Sequence, residues 1–359
     1  MVQAWVLRRK HRHGDRETGV YTLIPPYSFP SSRGVVRQTP RRFFATRAHI
    51  QPGGGEEAAQ VTEITLMIRR MEERDVTRAG GVIAAAFNDV FLRHGFPQPF
   101  PSPEVGIGLA RGYLRLEPQE CFVAVEGGQV IGSGFLHLRG DTAGIGPITV
   151  DPACQAKGVG KEIMMTIIRT GRHCPSLRLV QDAFNTVSFP LYSKLGFAVC
   201  GTMIALVGQE LHPAGRTRGI AIRELTADDT ARVTALDTKL TGITRPQDVH
   251  YFLGQPPQLL SLVDGKLAGY LCLLRTGAGT FLGPAAATEP AVLRALISQA
   301  IEMEQGKILR LRLPSRHAEL FRDLMKMGFR VETLQTYMVR GPWKTPKGTD
   351  LLALFPEAL

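Results

Sequence analysis

The 359-residue sequence lacks the features that mark several large classes of protein. It has no apolar run near the ~20 residues that a helix needs to cross a bilayer, so we expect no membrane protein. Its cysteines, at Cys121, Cys154, Cys174, Cys200 and Cys272, show no CxxC spacing and no accompanying histidine cluster. That pattern argues against a disulfide framework and against structural zinc or another bound metal. It predicts a reducing, cytoplasmic location.

The net positive charge of the chain is concentrated in the N-terminal segment. The chain has a formal net charge of +11, and residues 1–50 hold ten basic and two acidic side chains. The remaining 309 residues therefore carry only +3. A nearly balanced body gives no electrostatic reason to expect nucleic acid as a partner.

Residues 1–64 lack any sustained hydrophobic period and are interrupted by proline and by PGGG. We expect this basic segment to be mostly disordered. Three interpretations remain open: a transit peptide, a basic arm able to bind nucleic acid, or translated sequence upstream of the working chain. The last is favoured, because Met67 opens MIRRMEERD as a natural chain start would.

From Ile68 onward the hydrophobic pattern predicts a regular order of elements. A helix is expected over 75–87, a hairpin turning at Gly127–Gly128, and an amphipathic helix from Lys161. The full order is β-α-loop-β-β-β-α-β-α-β. This order predicts the α/β (α+β) class, with a mixed sheet flanked by helices.

Four strings of the first half recur in the same order in the second half. IRRMEERD resembles IRELTADD, GGQVIGSGFLHLR resembles DGKLAGYLCLLR, IGPITVDP resembles LGPAAATEP, and LYSKLGF resembles DLMKMGF. Such self-similarity predicts two tandem copies of one fold. We place the domains at 65–208 and 219–341, with a C-terminal tail at 342–359.

The stretch QAKGVGK, which follows IGPITVDP, has the composition of an anion-binding turn. Glycines let the main chain approach a ligand, and the start of a helix presents unpaired N–H groups and partial positive charge. Gly158 and Gly160 are so placed, and Lys157 and Lys161 add charge. We therefore predict a bound phosphate or pyrophosphate. The spacing fits neither a P-loop nor a Rossmann turn.

Two motifs together resemble one known family. Q-x-x-G-x-G from Gln155, followed about thirty residues later by NTVSFPLYSKLGF with Asn185 and Tyr192, resembles the GCN5-related N-acetyltransferase (GNAT) superfamily. The resemblance covers about Met67–Leu206. It implies acetyl-CoA as co-substrate, lying in a cleft where two neighbouring strands splay apart.

The resemblance also implies roles for individual residues. Val150 N–H would meet the thioester oxygen, where negative charge develops, and Tyr192 would protonate the departing thiolate. Asn185 would touch the pantetheine arm. The remaining contacts to the pantetheine and pyrophosphate would come from Ile148, Val150, Gln155, Lys157, Gly158, Val159, Gly160 and Lys161.

Simpler interpretations of these residues remain open. Tyr192 could be a core aromatic residue, and Asn185 could cap the following helix. Cys154 lacks the paired histidine that an acyl-carrying thiol would need. The general base is undecided among Asp182, His137 and His94, and the reaction needs none if the amine arrives neutral.

The second copy departs from the pattern at both motifs. LGPAAATEP runs directly into AVLRALISQAI without a glycine turn, and Leu324 stands where Tyr192 is expected. We therefore expect a degenerate GNAT-like domain and one acetyl-CoA per chain.

These observations predict an enzyme that transfers acetyl directly to an amine in a ternary complex. The acceptor could be a small molecule or a protein amine, and oligomerisation is possible. The alternative is a non-catalytic acyl-CoA-binding regulatory protein, which the absence of an obvious base would suit.

Overall fold

The structure is a computed structural model that describes residues 43–49, 62–215, 217–253, 258–276 and 279–353. Most of the segment predicted to be disordered lies outside these ranges. Two parts of it are described, however, and both are strands: Phe43–His49 pairs antiparallel with Thr62–Arg70. Met67 lies inside the second of these strands and not ahead of it.

The chain divides into two compact units, and the division falls inside two strands and one helix. The first unit comprises the described residues up to Phe135 together with Pro147–Ile167. Its elements are β1 (Phe43–His49), β2 (Thr62–Arg70), α1 (Val76–Arg93), α2 (Pro103–Leu116), β3 (Cys121–Glu126), most of β4 (Gln129–Arg139), the end of β5 (Thr142–Val150) and most of α3 (Val159–Thr170). Strands β1 to β4 form an antiparallel meander.

Helix α2 falls in a region that the sequence pattern left without an element. It packs on α1 at a glycine contact, since a side chain on Gly106 would collide with the Gly80 carbonyl oxygen. Glycine is less favourable than alanine in a helix by about 1 kcal/mol. The glycines that permit this close packing therefore also weaken the sequence signal for the helix.

The second unit holds Leu136–Gly146 and the chain from Ile168 onward. Beyond the start of β5, its elements are β6 (Ser176–Asp182), α4 (Ser188–Lys194), β7 (Ala198–Gly208), β8 (Ile220–Glu224), α5 (Thr230–Thr241), α6 (Pro246–Leu253), β9 (Leu259–Val263), β10 (Lys266–Thr276), β11 (Gly279–Ala287), α7 (Pro290–Met303), β12 (Leu309–Pro314), α8 (Ala318–Lys326), β13 (Arg330–Arg340) and β14 (Thr349–Leu351). Its sheet is mixed, because the β5–β6 and β11–β12 pairs are parallel and the others antiparallel.

The two sequence copies exchange strands in this sheet. The order is β5-β6-β13-β7-β12-β11-β10-β9-β8, so β13 of the second copy lies between β6 and β7 of the first. Strand β7 in turn lies between β13 and β12 of the second copy. Thr336 of β13 is registered with Gln181 on one side and Thr202 on the other. The last strand of each copy therefore completes the sheet of the other.

An equivalent ion pair occurs at the corresponding place in each sequence copy and supports the internal repeat. Arg69 donates two hydrogen bonds to the Asp75 carboxylate, at 2.5 and 2.8 Å, and Arg223 donates two to Asp229, both at 2.7 Å. Each carboxylate also accepts a main-chain N–H three residues earlier, from Glu72 and from Thr226. The arginine hydrogen bond leads the causes that lower the pKa of Asp229.

The core of the second unit lies beneath α7 and α8. Leu296 and Ile297 of α7 are fully buried, as are Leu271 of β10 and Leu324 of α8. Burying such a side chain contributes about 1.5–3 kcal/mol. Leu324 is thus a core residue at the position that aligns with Tyr192.

The segment 342–359, which the sequence sets apart as a tail, contributes strand β14. It pairs antiparallel with the end of β11, placing Ala285 opposite Leu351 and Ala287 opposite Thr349. On its other side, Leu352 N–H donates to the Arg312 carbonyl of β12, at 3.1 Å. The domain limits themselves stay a prediction.

Candidate active site

The predicted anion-binding turn lies between β5 and α3 in the first unit. Asp151 caps a short 3-10 turn by accepting the Ala153 N–H at 3.0 Å. The chain then takes positive φ at Ala156 (63°) and Gly158 (82°) before α3 begins at Val159. Positive φ favours glycine, and a side chain on Gly158 would meet no atom within 4 Å. The turn thus leaves open space in front of its main chain.

The start of α3 supplies hydrogen-bond donors at this turn. The first helical hydrogen bond runs from Glu162 N–H to the Gly158 carbonyl, at 3.2 Å. The N–H groups of Val159, Gly160 and Lys161 precede it and have no carbonyl one turn earlier in the helix. Val159 is buried and anchors the helix start, whereas Lys161 is exposed. This arrangement suits a phosphate group.

Arginines of α1 hold the ends of the turn, and the sequence pattern did not single them out. Arg78 contacts Asp151 at 2.6 Å and donates to the Val130 carbonyl at 3.1 Å. Arg93 donates to the Gln155 side-chain oxygen at 3.3 Å. Only the tertiary structure brings them to the turn, because they precede it by more than sixty residues.

Two of the predicted phosphate ligands already have protein partners. Gln155 Nε2 donates to the Val150 carbonyl at 3.4 Å, which ties the turn to the end of β5. Lys157 lies 3.9 Å from Glu126, a long and partly exposed pair. Such a pair contributes little, so the lysine can turn toward an anion at small cost.

Close packing with β4 fixes the end of β5. A side chain on Gly132 would meet the Thr149 carbonyl oxygen at 2.8 Å, and one on Gly134 would meet the Ile148 side chain at 2.9 Å. Thr149 Oγ1 and Ser133 Oγ form a buried 2.8 Å hydrogen bond. The main chain from Ile148 to Val150 is therefore held in a defined position.

Tyr192 lies on α4 in the second unit with 8% of its surface exposed. Burial raises the pKa of its phenol to about 12. The ring packs edge-on against Phe197, with centroids 6.4 Å apart. The phenol therefore keeps its proton throughout the neutral pH range and can donate a hydrogen bond.

Asn185 caps the start of α4. Its side-chain oxygen accepts the N–H groups of Val187 and Ser188, at 3.2 and 3.1 Å. This is the capping role that the sequence left open, and it leaves the side-chain NH2 group as a donor for other contacts.

Asp182, the predicted base on β6, is held by side chains of the second sequence copy. Gln335 on β13 donates to its carboxylate at 2.9 Å, and Arg312 on β12 donates to Gln335 at 3.0 Å. Burial raises the pKa of Asp182, and the Gln335 hydrogen bond and the Arg312 charge oppose that rise. Sequence reasoning missed both partners, which lie more than a hundred residues away.

The other candidates for base or nucleophile have less suitable surroundings. His137 is buried, and its Nε2 lies 2.9 Å from the Gly146 carbonyl, which fixes that nitrogen as a donor. His94 is exposed at the end of α1, where its Nδ1 contacts the Val90 carbonyl at 2.8 Å. Cys154, like the other cysteines, is a free thiol.

In the second copy, strand β14 pairs with the residues that correspond to the end of β5. The alignment of IGPITV with LGPAAA puts Ile148 at Ala285 and Val150 at Ala287. Both alanines pair with β14, and Gly283 approaches the Leu352 carbonyl so closely that a side chain would collide with it. Helix α7 begins at Pro290, which has no N–H to offer.

Two negative findings apply to the part of the chain that the structure describes. No helix there is long and apolar enough to cross a membrane. No group of three or more His, Cys, Asp or Glu side chains there could hold a metal ion.

Comparison with known protein families assigns the chain to a class of acyl-transferring enzymes. Two family models match the chain: the Acetyltransferase (GNAT) family at residues 87–197 and the Acetyltransferase (GNAT) domain at residues 233–352. The chain belongs to the GNAT superfamily as a tandem member and is an acyltransferase.

One curated relative agrees with this assignment, and solved structures share the fold. The uncharacterized N-acetyltransferase YitH of Bacillus subtilis (strain 168) is 26% identical over 204 residues, covering 56% of this chain and 71% of that protein. A structure from Pyrococcus horikoshii, described as that of a proposed acetyltransferase, has a TM-score of 0.65 at 18% identity, covering 81% and 95% of the two chains. A tandem GNAT protein from the clavulanic acid biosynthesis pathway has a TM-score of 0.52 at 14% identity, covering 78% and 100%. The two structures support the fold alone.

Proposed function

We propose that this acyltransferase moves the acetyl group of acetyl-CoA directly to an amine within a ternary complex. The observation that carries the proposal is the open turn Ala156–Gly158, which leads from the end of β5 into the unpaired N–H groups of α3. An anion as large as the pyrophosphate of coenzyme A fits such a helix start.

Different residues would contact the pantetheine arm, the thioester and the pyrophosphate of acetyl-CoA. The main chain at Ile148 and Val150 would bind the pantetheine arm, and the Val150 N–H would stabilise the negative charge that develops on the thioester oxygen. Gln155 and the amides from Lys157 to Lys161 would hold the pyrophosphate. The Asn185 NH2 group would contact the pantetheine.

Tyr192 would act as hydrogen-bond donor to the leaving sulfur. The attacking nitrogen forms a bond to the acetyl carbon, the carbon–sulfur bond breaks, and the electron pair of that bond goes to sulfur. A phenol with a pKa of about 12 is a weak acid, so it would stabilise the thiolate chiefly by donating a hydrogen bond. The proton that the amine loses balances the one that the thiol gains.

Asp182 would accept the proton of the incoming amine. Its pKa is raised by burial, which makes it a stronger base than an exposed aspartate. Gln335 and Arg312 keep the carboxylate oriented. The second sequence copy would thus position the base rather than bind coenzyme A.

One acetyl-CoA would bind per chain, in a reducing compartment such as the cytoplasm. Strand β14 occupies the main-chain edge at Ala285–Ala287 that a second pantetheine would need. The free thiols of all five cysteines suit a reducing compartment.

Coenzyme A release from acetyl-CoA, measured with a panel of small amines and lysine peptides, tests the proposal. Turnover that requires the amine, with an acetylated product by mass spectrometry, is the expected result. Tight binding of one acetyl-CoA with no turnover on any amine would favour the regulatory alternative instead. Titration calorimetry that gives two equal sites would contradict the single-site assignment.

A further inference from the structure

An open cleft lies on one face of the central sheet in the second unit. Its lining includes Met203 of β7, Arg316 after β12, Tyr337 of β13 and Trp343 of the C-terminal segment. An adjoining narrow space shares these four residues and adds Arg178 of β6. Because the two spaces share these lining residues, we name them together the Arg178 cleft.

Arg178 is a buried cation without a carboxylate partner among the described residues. Its side chain is 7% exposed and contacts only neutral groups: Ser176 Oγ at 3.2 Å, the Tyr337 hydroxyl at 3.4 Å, and the face of Trp343 at 5.0 Å. A guanidinium has five N–H donors, and these contacts use two of them. A buried charge is costly unless an opposite charge compensates it.

The other charged side chains of the Arg178 cleft are already paired. Arg245 makes two 2.9 Å hydrogen bonds to Asp237. Arg316 pairs with Asp350, which His317 also contacts at 2.9 Å. The cleft therefore carries one positive charge in excess, located at Arg178.

Arg178 and the proposed base stand on the same face of strand β6. Side chains alternate along a strand, and Asp182 follows Arg178 by four residues, or about 13 Å. Gln335 and Tyr337 are two residues apart on β13, so they also lie on one face of their strand. Gln335 donates to Asp182, and Tyr337 contacts Arg178. Met203 of the cleft wall is registered with Gln335. The cleft and the base thus share one surface.

We propose that the Arg178 cleft binds an anionic group, a carboxylate or phosphate, carried by the amine acceptor. This proposal deepens the proposed function and rests on it for the amine. The guanidinium would make a charge-assisted, two-point contact with the anion. Trp343 would cover the apolar part of the acceptor.

Matched amines that differ only in the anionic group test the proposal. We would compare 5-aminopentanoate with 5-aminopentanamide, and 8-aminooctanoate with its amide, in coenzyme A release and in titration calorimetry. The wild type should favour one or both carboxylates about 10- to 100-fold in kcat/KM. Arg178→Gln should abolish that preference while turnover of the amides persists.

Two further variants keep the test decisive if Arg178→Gln is unstable. Trp343→Leu leaves the guanidinium in place and should reduce the carboxylate preference about three- to tenfold. Arg172→Gln removes the same charge from an exposed position of the same unit and should leave the preference unchanged. Circular dichroism of each variant verifies folding.

The possible outcomes separate this proposal from the proposed function. Equal kcat/KM for carboxylates and amides would overturn the anion site while acetyl transfer stands. Carboxylate binding that requires Arg178, without any acetyl transfer, would support the site and contradict the enzyme function. Acceleration of amide turnover by free phosphate would overturn the proposal, since the anion would then be a separate ligand.

Discussion

Tyr192 combines burial with a hydroxyl group to which we assign a role in acetyl transfer. Exclusion of water raises the pKa of its phenol to about 12, so its charge state does not change between pH 6 and 9. The Leu324 position of the second copy has the same packing role without the hydroxyl. Packing at this position of the helix therefore does not require a hydroxyl group.

Tyr192→Phe should therefore leave folding intact and slow the chemical step. We expect kcat to fall about 10²- to 10³-fold, as on loss of one hydrogen-bond donor to developing charge, with little change in the Kd of acetyl-CoA. Coenzyme A release and titration calorimetry measure the two quantities. Ser193→Ala, on the exposed side of the same helix, is the control; equal activity of both variants with wild type would exclude Tyr192 from the chemistry.

Asp182 should impose a pH dependence on acetyl transfer. A base acts when deprotonated, so kcat/KM should fall as pH drops through its pKa, which burial raises above the ordinary aspartate value of about 4. Gln335→Leu removes a hydrogen bond that lowers this pKa and should move the acidic limb to higher pH. Asp182→Asn should remove the limb together with most of the activity. An acidic limb that survives in Asp182→Asn would assign the base elsewhere.

At the scale of elements, the ligand-binding unit that we propose consists of the glycine turn and α3. Gly158 has a φ of 82°, which costs a non-glycine residue about 1–2 kcal/mol. Its open side is where a phosphate would approach the main chain.

Gly158→Val should raise the Kd of acetyl-CoA at least about tenfold, through backbone strain and a branched side chain in the path of the ligand. Gly219→Val is a matched control, because Gly219 has a φ of 80° with equally open surroundings in the other unit. We would measure Kd by titration calorimetry and stability by thermal unfolding. Equal loss of affinity in both variants would attribute the effect to stability alone.

The sequence predicted those elements whose signals are local. The turn at Gly158, the helix α3 and the hairpin at Gly127–Gly128 follow from short-range pattern and turn chemistry. Helix α2 was missed because Gly106, which its packing on Gly80 requires, weakens the helical signal.

The roles of Gln335 and Arg312 at Asp182 could not be predicted, because they depend on which strands pair. The hydrophobic pattern of β13 does not indicate whether its neighbours are strands of the first copy or of the second. Pairing between strands that are distant in sequence depends on how all the strands of the sheet pack together. The internal repeat was visible in sequence, and its exchange of strands was not.

At the scale of the whole molecule, the exchange makes the two sequence copies interdependent. Strands β6 and β7 belong to the first copy but pair with β13 of the second. A buried ion pair adds to this, since Arg139 on β4 donates to Asp248 on α6 at 2.6 and 2.7 Å. Breaking such a pair from one side costs about 3–5 kcal/mol.

A chain cut between the copies should therefore fail to give a folded catalytic half. We expect residues 62–208 expressed alone to aggregate, because β6 and β7 would each expose an unpaired edge. Co-expression with residues 209–359 should restore a soluble complex. Size-exclusion chromatography and circular dichroism report both outcomes, and a folded, monomeric 62–208 fragment would contradict the prediction.

The exchanged strand also sets the order of events during synthesis. Strand β13 ends at Arg340, so the ribosome must translate more than a hundred further residues after Gly208 before β6 and β7 gain their shared neighbour. At about 5–20 residues per second, this delay is on the order of 10 s. Throughout it the nascent chain carries three open strand edges, one on β6 and both on β7. We therefore expect the yield of folded protein to depend on chaperones and on the speed of translation through the second copy.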